Sequence, residues 1–299
     1  MTRILLQLEK ATDTITFRQI AITMLLLKLI ILSYFGYLLI GELYSGTLLF
    51  DSTFFIFMGV GFLAQVVDGA LGMAYGVSCT TLLINFGIPP GLASASVHTS
   101  EIFTTGISGL SHIKFKNIDK GLFFKIVITG TLGAVLGAYL IADYFDGNII
   151  KPYIAGYLIL LGSYIIYKGL VNKVNNNETV KGAPLLALFG GFLDTIGGGG
   201  WGPIVTSNLL SQGKDPREAI GTVNTAEFFV TYFATVIFVF ILGVKHWQII
   251  LGLIAGGALA APFGAYLASR INKRVLFFLV GTLIIITSGY TLYTIIINI

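Results

Sequence analysis

Gly197-Gly198-Gly199-Gly200-Trp201-Gly202-Pro203 is the stretch that decides the architecture. It lies inside an apolar segment, residues 183–212, that is too long for one helical crossing of a bilayer. Each glycine costs a helix interior roughly 1 kcal/mol relative to alanine, so four in succession unwind it. Pro203 has no amide donor but is well suited to a helix start. The segment therefore predicts two half-helices around an unwound tip. A second long apolar segment, residues 52–86, has Asp68-Gly69-Ala70-Leu71-Gly72 at its centre and predicts the same form. Unpaired backbone cannot face lipid, so each tip must lie in protein or line a wet cavity.

The rest of the chain fits that setting. Of its 299 residues, 55% are hydrophobic and only 11% charged, against about 25% charged in an ordinary soluble domain. Repeated apolar stretches match the roughly 20 residues that cross a hydrocarbon core. The expected fold class is an all-α polytopic membrane protein, with the lipid bilayer as its main partner. The net charge of +4 comes from basic residues scattered over short loops, which points to topology and not to nucleic acid. A single cysteine, Cys79, excludes an intramolecular disulfide and gives no zinc motif. No Gly-Lys-Ser/Thr follows the glycines, so they are not a phosphate loop, and no cofactor is expected. Glu9 and Asp13 interrupt the first residues, which read as a cytosolic lead-in, 1–19, and not as a cleaved signal.

Two portions of the chain match each other in order. Gly61-Phe62-Leu63 returns as Gly191-Phe192-Leu193, and Gly69 and Gly72 return as Gly199 and Gly202. Gly87, Pro90, Ala93, Val97, Thr99, Glu101 and Phe103 return as Gly213, Pro216, Ala219, Val223, Thr225, Glu227 and Phe229. Gly137-Ala138-Tyr139-Leu140 returns as Gly264-Ala265-Tyr266-Leu267. The predicted organisation is a lead transmembrane helix at 20–41, a transport repeat at 52–170, a cytosolic linker at 171–182 and a second repeat at 183–299. Each repeat holds a broken hairpin, 52–86 or 183–212, and three spans. These run 91–111, 121–142 and 149–170 in the first, and 216–243, 247–269 and 274–297 in the second.

Loop charge sets the orientation. With the broken segments read as re-entrant hairpins and the N-terminus cytoplasmic, 14 of the 18 basic residues fall inside and only Lys151 and Lys245 outside. Lys28 and Lys125 lie near inner helix ends and can snorkel. The C-terminus then lies outside, the two hairpins enter from opposite faces, and the repeats are inverted, with their tips meeting near the midplane. Two full crossings per broken segment would leave every later loop on the same side; the short half-helices favour re-entry.

Inverted repeats with broken helices at the midplane are where secondary transporters hold substrate. The second half-helices, expected to start near Gly72 and Gly202, aim free amides and about half a positive charge each at the tips. That is an anion site without lysine or arginine. The candidate substrate-binding residues are Gly69, Gly72, Gly198, Gly199, Gly200, Trp201 and Gly202 at the tips. Ser96, His98, Thr99, Asn224 and Thr225 join them from the polar helices that follow. Glycines that serve only helix packing are spaced by four and not clustered. Glu101 and Glu227 are matched acids deep in a span, where a charge costs about 2.5–3.5 kcal/mol. That cost suits a proton carrier, though an acid bonded across the repeat interface fits as well. Asp68 is a further proton-coupling candidate; it and Asp194 are equally placed to cap a half-helix. His98 is placed to donate to an anion or bind a metal, but only His112 and His246 remain, so no histidine-rich metal site is expected. Trp201 either walls the cavity or packs.

The paired stretches Gly61 to Glu101 and Gly191 to Glu227, each a glycine-rich break followed by a polar helix with Asn/His-Thr-x-Glu, resemble the sulfite exporter TauE/SafE family. The resemblance runs from about residue 52 onward. It implies a bacterial plasma-membrane permease for sulfite, sulfonates or related organosulfur anions, and no enzyme. The expected function is alternating-access transport of a small anion, with Glu101 or Glu227 carrying a proton. An anion channel is the alternative. An intramembrane enzyme built on His98 and Glu101 is the other, and it lacks a nucleophile–base–orienter set.

Overall fold

A computed structural model describes residues 14–44, 50–71, 73–171, 180–244, 246–268 and 273–297. Gly72, most of the lead-in and residues 172–179 of the linker lie outside the described residues. The elements are α1 (Phe17–Tyr44), α2 (Ser52–Leu71), α3 (Tyr75–Asn85), α4 (Pro90–Lys114), α5 (Lys120–Tyr139) and α6 (Gly147–Leu170). Then come α7 (Ala183–Gly197), α8 (Ser207–Ser211), α9 (Pro216–Leu242), α10 (Trp247–Ala268) and α11 (Lys273–Ile297). Among the described residues, five segments are long and apolar enough to cross a membrane: Phe17–Gly41, Lys120–Tyr144, Gly147–Leu170, Arg217–Leu242 and Phe277–Ile297. The described part is all-helical, and the chain is a multi-pass membrane protein.

Helix α4 is equally long but polar. It buries Ser94, Ser96, His98, Thr99, Ser100, Glu101 and Thr105, so it has to be sheathed by other helices and not by lipid. It pairs with α9, the other helix carrying a deep glutamate. Around that pair, α2 lies along α10, α7 along α5, and α6 along α11. Two of these crossings bring backbone against backbone. A Cβ added at Gly61 would lie 2.5 Å from the Leu253 carbonyl oxygen, and one at Gly191 would strike the Gly130 carbonyl. Small residues permit that approach, which is how helices associate where no hydrophobic force drives them together.

Both long segments are broken. Helix α7 ends at Gly197; Gly198 turns the chain in the left-handed region (φ 67°), and helical structure resumes at Trp201 through a wide π-turn, Gly202–Thr206, into α8. Helix α2 runs on to Leu71 and resumes at Tyr75, with Ala74 left-handed at φ 102°. Asp68 and Gly69 therefore sit in a helical turn and not in the tip. Single glycines separated by Ala70 and Leu71 weaken a helix too little to end it.

The breaks also correct the register of the match between the two portions. Asp68 and Asp194, Tyr75 and Trp201, and Glu101 and Glu227 each stand 126 positions apart. Aligning Gly69 and Gly72 with Gly199 and Gly202 is one helical turn out, because it sets helical Gly69 opposite unwound Gly199.

Candidate transport site

The two breaks touch. A Cβ at Gly202 would lie 2.8 Å from Met73 Cβ, and Gly199 packs on Val77 at the start of α3. The Thr80 hydroxyl donates to the Gly198 carbonyl, and Tyr157 of α6 donates to the Gly199 carbonyl at 2.9 Å. The Tyr75 amide donates to Asp68 Oδ1 at 3.3 Å, and the Trp201 amide donates to Asp194 Oδ1 at 2.9 Å. In each break an aspartate in the outgoing helix thus caps the first amide of the incoming one. A carboxylate there satisfies an orphan donor and faces the positive end of the helix dipole.

Between the tips lies a cavity of about 20 Å³, room for about one water. Its lining includes the chain from Met73 to Val77, Gly200, Gly202, and four carboxyl residues: Asp68, Glu101, Asp194 and Glu227. Glu101 Oε2 is buried without a hydrogen-bond partner. Among the described residues, no lysine or arginine lines the space. Four carboxylate charges in so small a volume repel one another strongly. An anion can share the cavity only if protons or a cation offset them.

The cavity opens in one direction. It shares Asp68, Thr104, Thr105 and Glu227 with a vestibule of about 170 Å³, whose other lining residues are Gln65, Ser108, His112, Ile220 and Asn224. Asn224 Nδ2 donates to Ser108 Oγ at 2.9 Å. Toward the opposite end only about 10 Å³ is open, beside Ser96, Thr99, Phe238 and His246. A cleft of about 170 Å³ at that end, by Asp51 and Trp247, shares His246 with this narrow space and touches none of the candidate residues.

Of the residues expected at the site, Glu101, Glu227, Asp68, Gly200 and Gly202 meet at the cavity, and Asn224 lines the vestibule. Ser96 and Thr99 lie at the narrow end instead, the Thr99 hydroxyl donating to Ala95 O at 2.6 Å. Thr225 is fully buried and donates to Gly221 O. Trp201 packs: it is fully buried against Gly130, with Nε1 donating to Val223 O at 3.3 Å, and it is not a cavity wall. Gly69 belongs to α2. Gly198 and Gly199 stitch the tip through their carbonyls.

His98 stands off the cavity. Its Nδ1 lies 2.9 Å from Ser94 O and its Nε2 lies 3.1 Å from Asp194 Oδ2. Ligand-type atoms of His98, Glu101 and Asp194 do come within 4.8 Å of one another. Two of them, His98 and Asp194, are bonded to each other. The residues missed from sequence are Thr104, Thr105, Ser108 and His112. They extend Glu101's face along α4 at three- and four-residue spacing, a signal that was present but unread.

Comparison with known proteins fits this geometry. Residues 57–291 match the family model described as Sulfite exporter TauE/SafE. The probable membrane transporter protein YtnM of Bacillus subtilis (strain 168) is 44% identical over 246 residues, covering 79% of this chain and 82% of that protein. The probable membrane transporter protein MJ0441 of Methanocaldococcus jannaschii is 27% identical over 165 residues, covering 52% and 61%. Sulfite exporter TauE/SafE family protein 5 of Arabidopsis thaliana is 28% identical over 110 residues, covering 36% and 24%. No solved structure matches the chain at a significant level. With a broken-helix cavity set among membrane spans and a family match over most of its length, the chain belongs to the sulfite exporter TauE/SafE family of membrane transporters.

Proposed function

We propose that the protein carries a small sulfur oxyanion, sulfite or an alkylsulfonate, by alternating access between two inverted repeats. The carrying observation is that both breaks and both matched glutamates line one cavity, open toward one end and nearly closed toward the other. The reciprocal pairing of α2 with α10 and α7 with α5 supports halves related by a two-fold axis. Loop charge supports a cytosolic open end, since Lys114, Lys116, Lys120, Lys214 and Arg217 cluster there. The anion enters past Asn224 and Ser108, whose amide and hydroxyl are neutral donors. It then meets the starts of the second half-helices around Gly76, Gly200 and Gly202. Its charge is tolerated because Glu101, Glu227 and Asp68 hold protons while it is bound, which couples its movement to protons. The nearly closed end favours a carrier over an open pore.

The test is flux into liposomes holding the purified protein, with sulfite or an alkylsulfonate on one side. Saturable uptake that follows an imposed pH gradient is expected, and the double substitution E101Q/E227Q should weaken that dependence. Wild-type flux from the double variant would remove the coupling role. Currents at channel rates would replace the carrier by a pore.

A further inference from the structure

His98 and Asp194 hold a proton that their geometry makes obligatory. His98 Nδ1 faces two oxygens, the Ser94 carbonyl at 2.9 Å and Ser94 Oγ at 3.3 Å. The carbonyl can only accept, and the Ser94 hydroxyl already gives its hydrogen to Thr195 O at 2.6 Å. Nδ1 must therefore carry a hydrogen. A neutral ring then presents a bare lone pair at Nε2, 3.1 Å from Asp194 Oδ2. Two acceptors do not sit at that distance, so one further proton lies between them. It is on the ring or on the carboxyl, and the pair as a whole is neutral.

Position explains what the proton is for. By the 126-residue register, His98 corresponds to Asn224, Phe238 to His112, and Asp194 to Asp68. At one end the Asn224, His112 and Asp68 positions surround the vestibule, and Asn224 donates to Ser108. At the other end the same positions are packed shut. His98 is bonded to Asp194, and its ring centroid lies 5.8 Å from that of Phe238. The bond ties α4 to α7 across the closed end.

We propose that the proton shared by His98 and Asp194 latches the closed end of the transporter and is released when that end opens, in addition to the protons carried on Glu101, Glu227 and Asp68. This rests on the alternating-access reading above. When the end opens, His98 Nε2 and Asp194 Oδ2 part and the shared proton leaves to the water that enters. The pair passes from net neutral to a net charge of −1. Reclosing takes one proton back. The other titratable groups around the pair are Glu101 on α4, Glu227 on α9, Asp68 on α2, Tyr75 and Cys79 on α3, Tyr157 on α6, and His246, which lines the closed end with Phe238; among the cavity-lining and bonded neighbours described, none is a lysine or arginine.

Two substitutions keep a hydrogen bond at this place and remove the exchangeable proton. His98→Asn installs the residue found at the open end, and its amide can donate to Asp194. Asp194→Asn still accepts from the Trp201 amide and donates to a neutral His98. The first readout is equilibrium exchange of a labelled alkylsulfonate, whose own charge does not change between about pH 5 and pH 9, normalised to each variant's maximum. Wild type should show a pH profile from which both variants lose the same component, whatever their absolute rates. The second readout needs no substrate: the apparent Tm of detergent-purified protein across the same range, whose pH dependence should also lose a component in both variants. Unchanged Tm–pH curves in both variants overturn the inference, even if no sulfonate is carried. Absence of exchange by wild type alongside flattened Tm curves overturns the transport reading and leaves the protonated latch. Exchange by the variants that still follows pH as in wild type refutes the latch as a coupling site.

Discussion

Glu101 reaches across the central cavity to Gly76: a Cβ added at Gly76 would lie 2.7 Å from Glu101 Oε1. The next atoms that Cβ would meet, Gly198 O and Gly199 Cα, are 3.4 Å away, which is ordinary contact. Only the end of a side chain has to move.

Gly76→Ala should therefore fold and still fail as a carrier. The cavity holds about one water's volume, and a methyl group occupies a comparable space. The expected result is an apparent Tm within a few degrees of wild type and sulfonate flux reduced about ten-fold or more. Flux at the wild-type level would place the substrate path elsewhere.

Trp201 should behave in the opposite way. It is fully buried against Gly130 and does not line the cavity. Trp201→Ala removes a large ring from a close-packed site, a loss of about 3–5 kcal/mol in comparable cores. The measurable outcome is a large fall in apparent Tm, while Trp201→Phe recovers part of the stability, losing the bond to Val223 O and some of the ring packing on Gly130. Little change in Tm for Trp201→Ala would contradict the packing role.

Lys214 clasps the start of α5 to the start of α9 by bonding Asp119 at 2.6 Å and Glu218 at 2.8 Å. Burial alone would raise the Asp119 pKa, but the hydrogen bond from Lys214 and those from the Leu122 and Gly121 amides outweigh it and hold the carboxyl below its ordinary value. Burial alone would lower the Lys214 pKa, and its bonds to the two acids instead raise it. The Asp119 contribution is complete above the unfolded carboxylate value of about 4 and is lost as pH falls through the lowered folded value. The Lys214 contribution is complete below about 10.4 and is lost as pH rises through the raised folded value. Solvent reaches Asp119, so the clasp is worth about 1 kcal/mol or less. Lys214→Ala should lower stability by that amount near pH 7, and the difference should shrink in high salt and toward either pH extreme. A difference independent of both salt and pH would exclude the ion pair as its source.

The broken helices were legible because their cause is local. Four glycines and a proline stop a helix whatever surrounds them, and two matched glutamates deep in apolar helices need a protein setting. The first break was harder to place, since isolated glycines leave the choice between helix and tip to tertiary contacts. The match of Gly61-Phe62-Leu63 with Gly191-Phe192-Leu193 then set the register one turn away from the pairing of Asp68 with Asp194. Thr99 and Thr225 look like site residues from their neighbours in sequence, yet each returns its hydroxyl to its own helix. Which face of a polar helix meets a cavity depends on its rotation against partner helices, and no single sequence position records that. Asp194 shows both sides: its place before the break marks it as a cap, and it caps the Trp201 amide, whereas its bond to His98 joins elements that the linear pattern does not bring together.

Cysteine accessibility in oriented vesicles tests alternating access most directly. With buried Cys79 replaced by alanine, single cysteines at Asn224 and Ser96 report the vestibule and the narrow end. A membrane-impermeant maleimide should reach the first only from the cytosolic side and the second only from the outside. An added sulfonate should change the two labelling rates in opposite directions. Labelling of both positions from the same side, or rates that rise and fall together, would contradict a site opened to each face in turn.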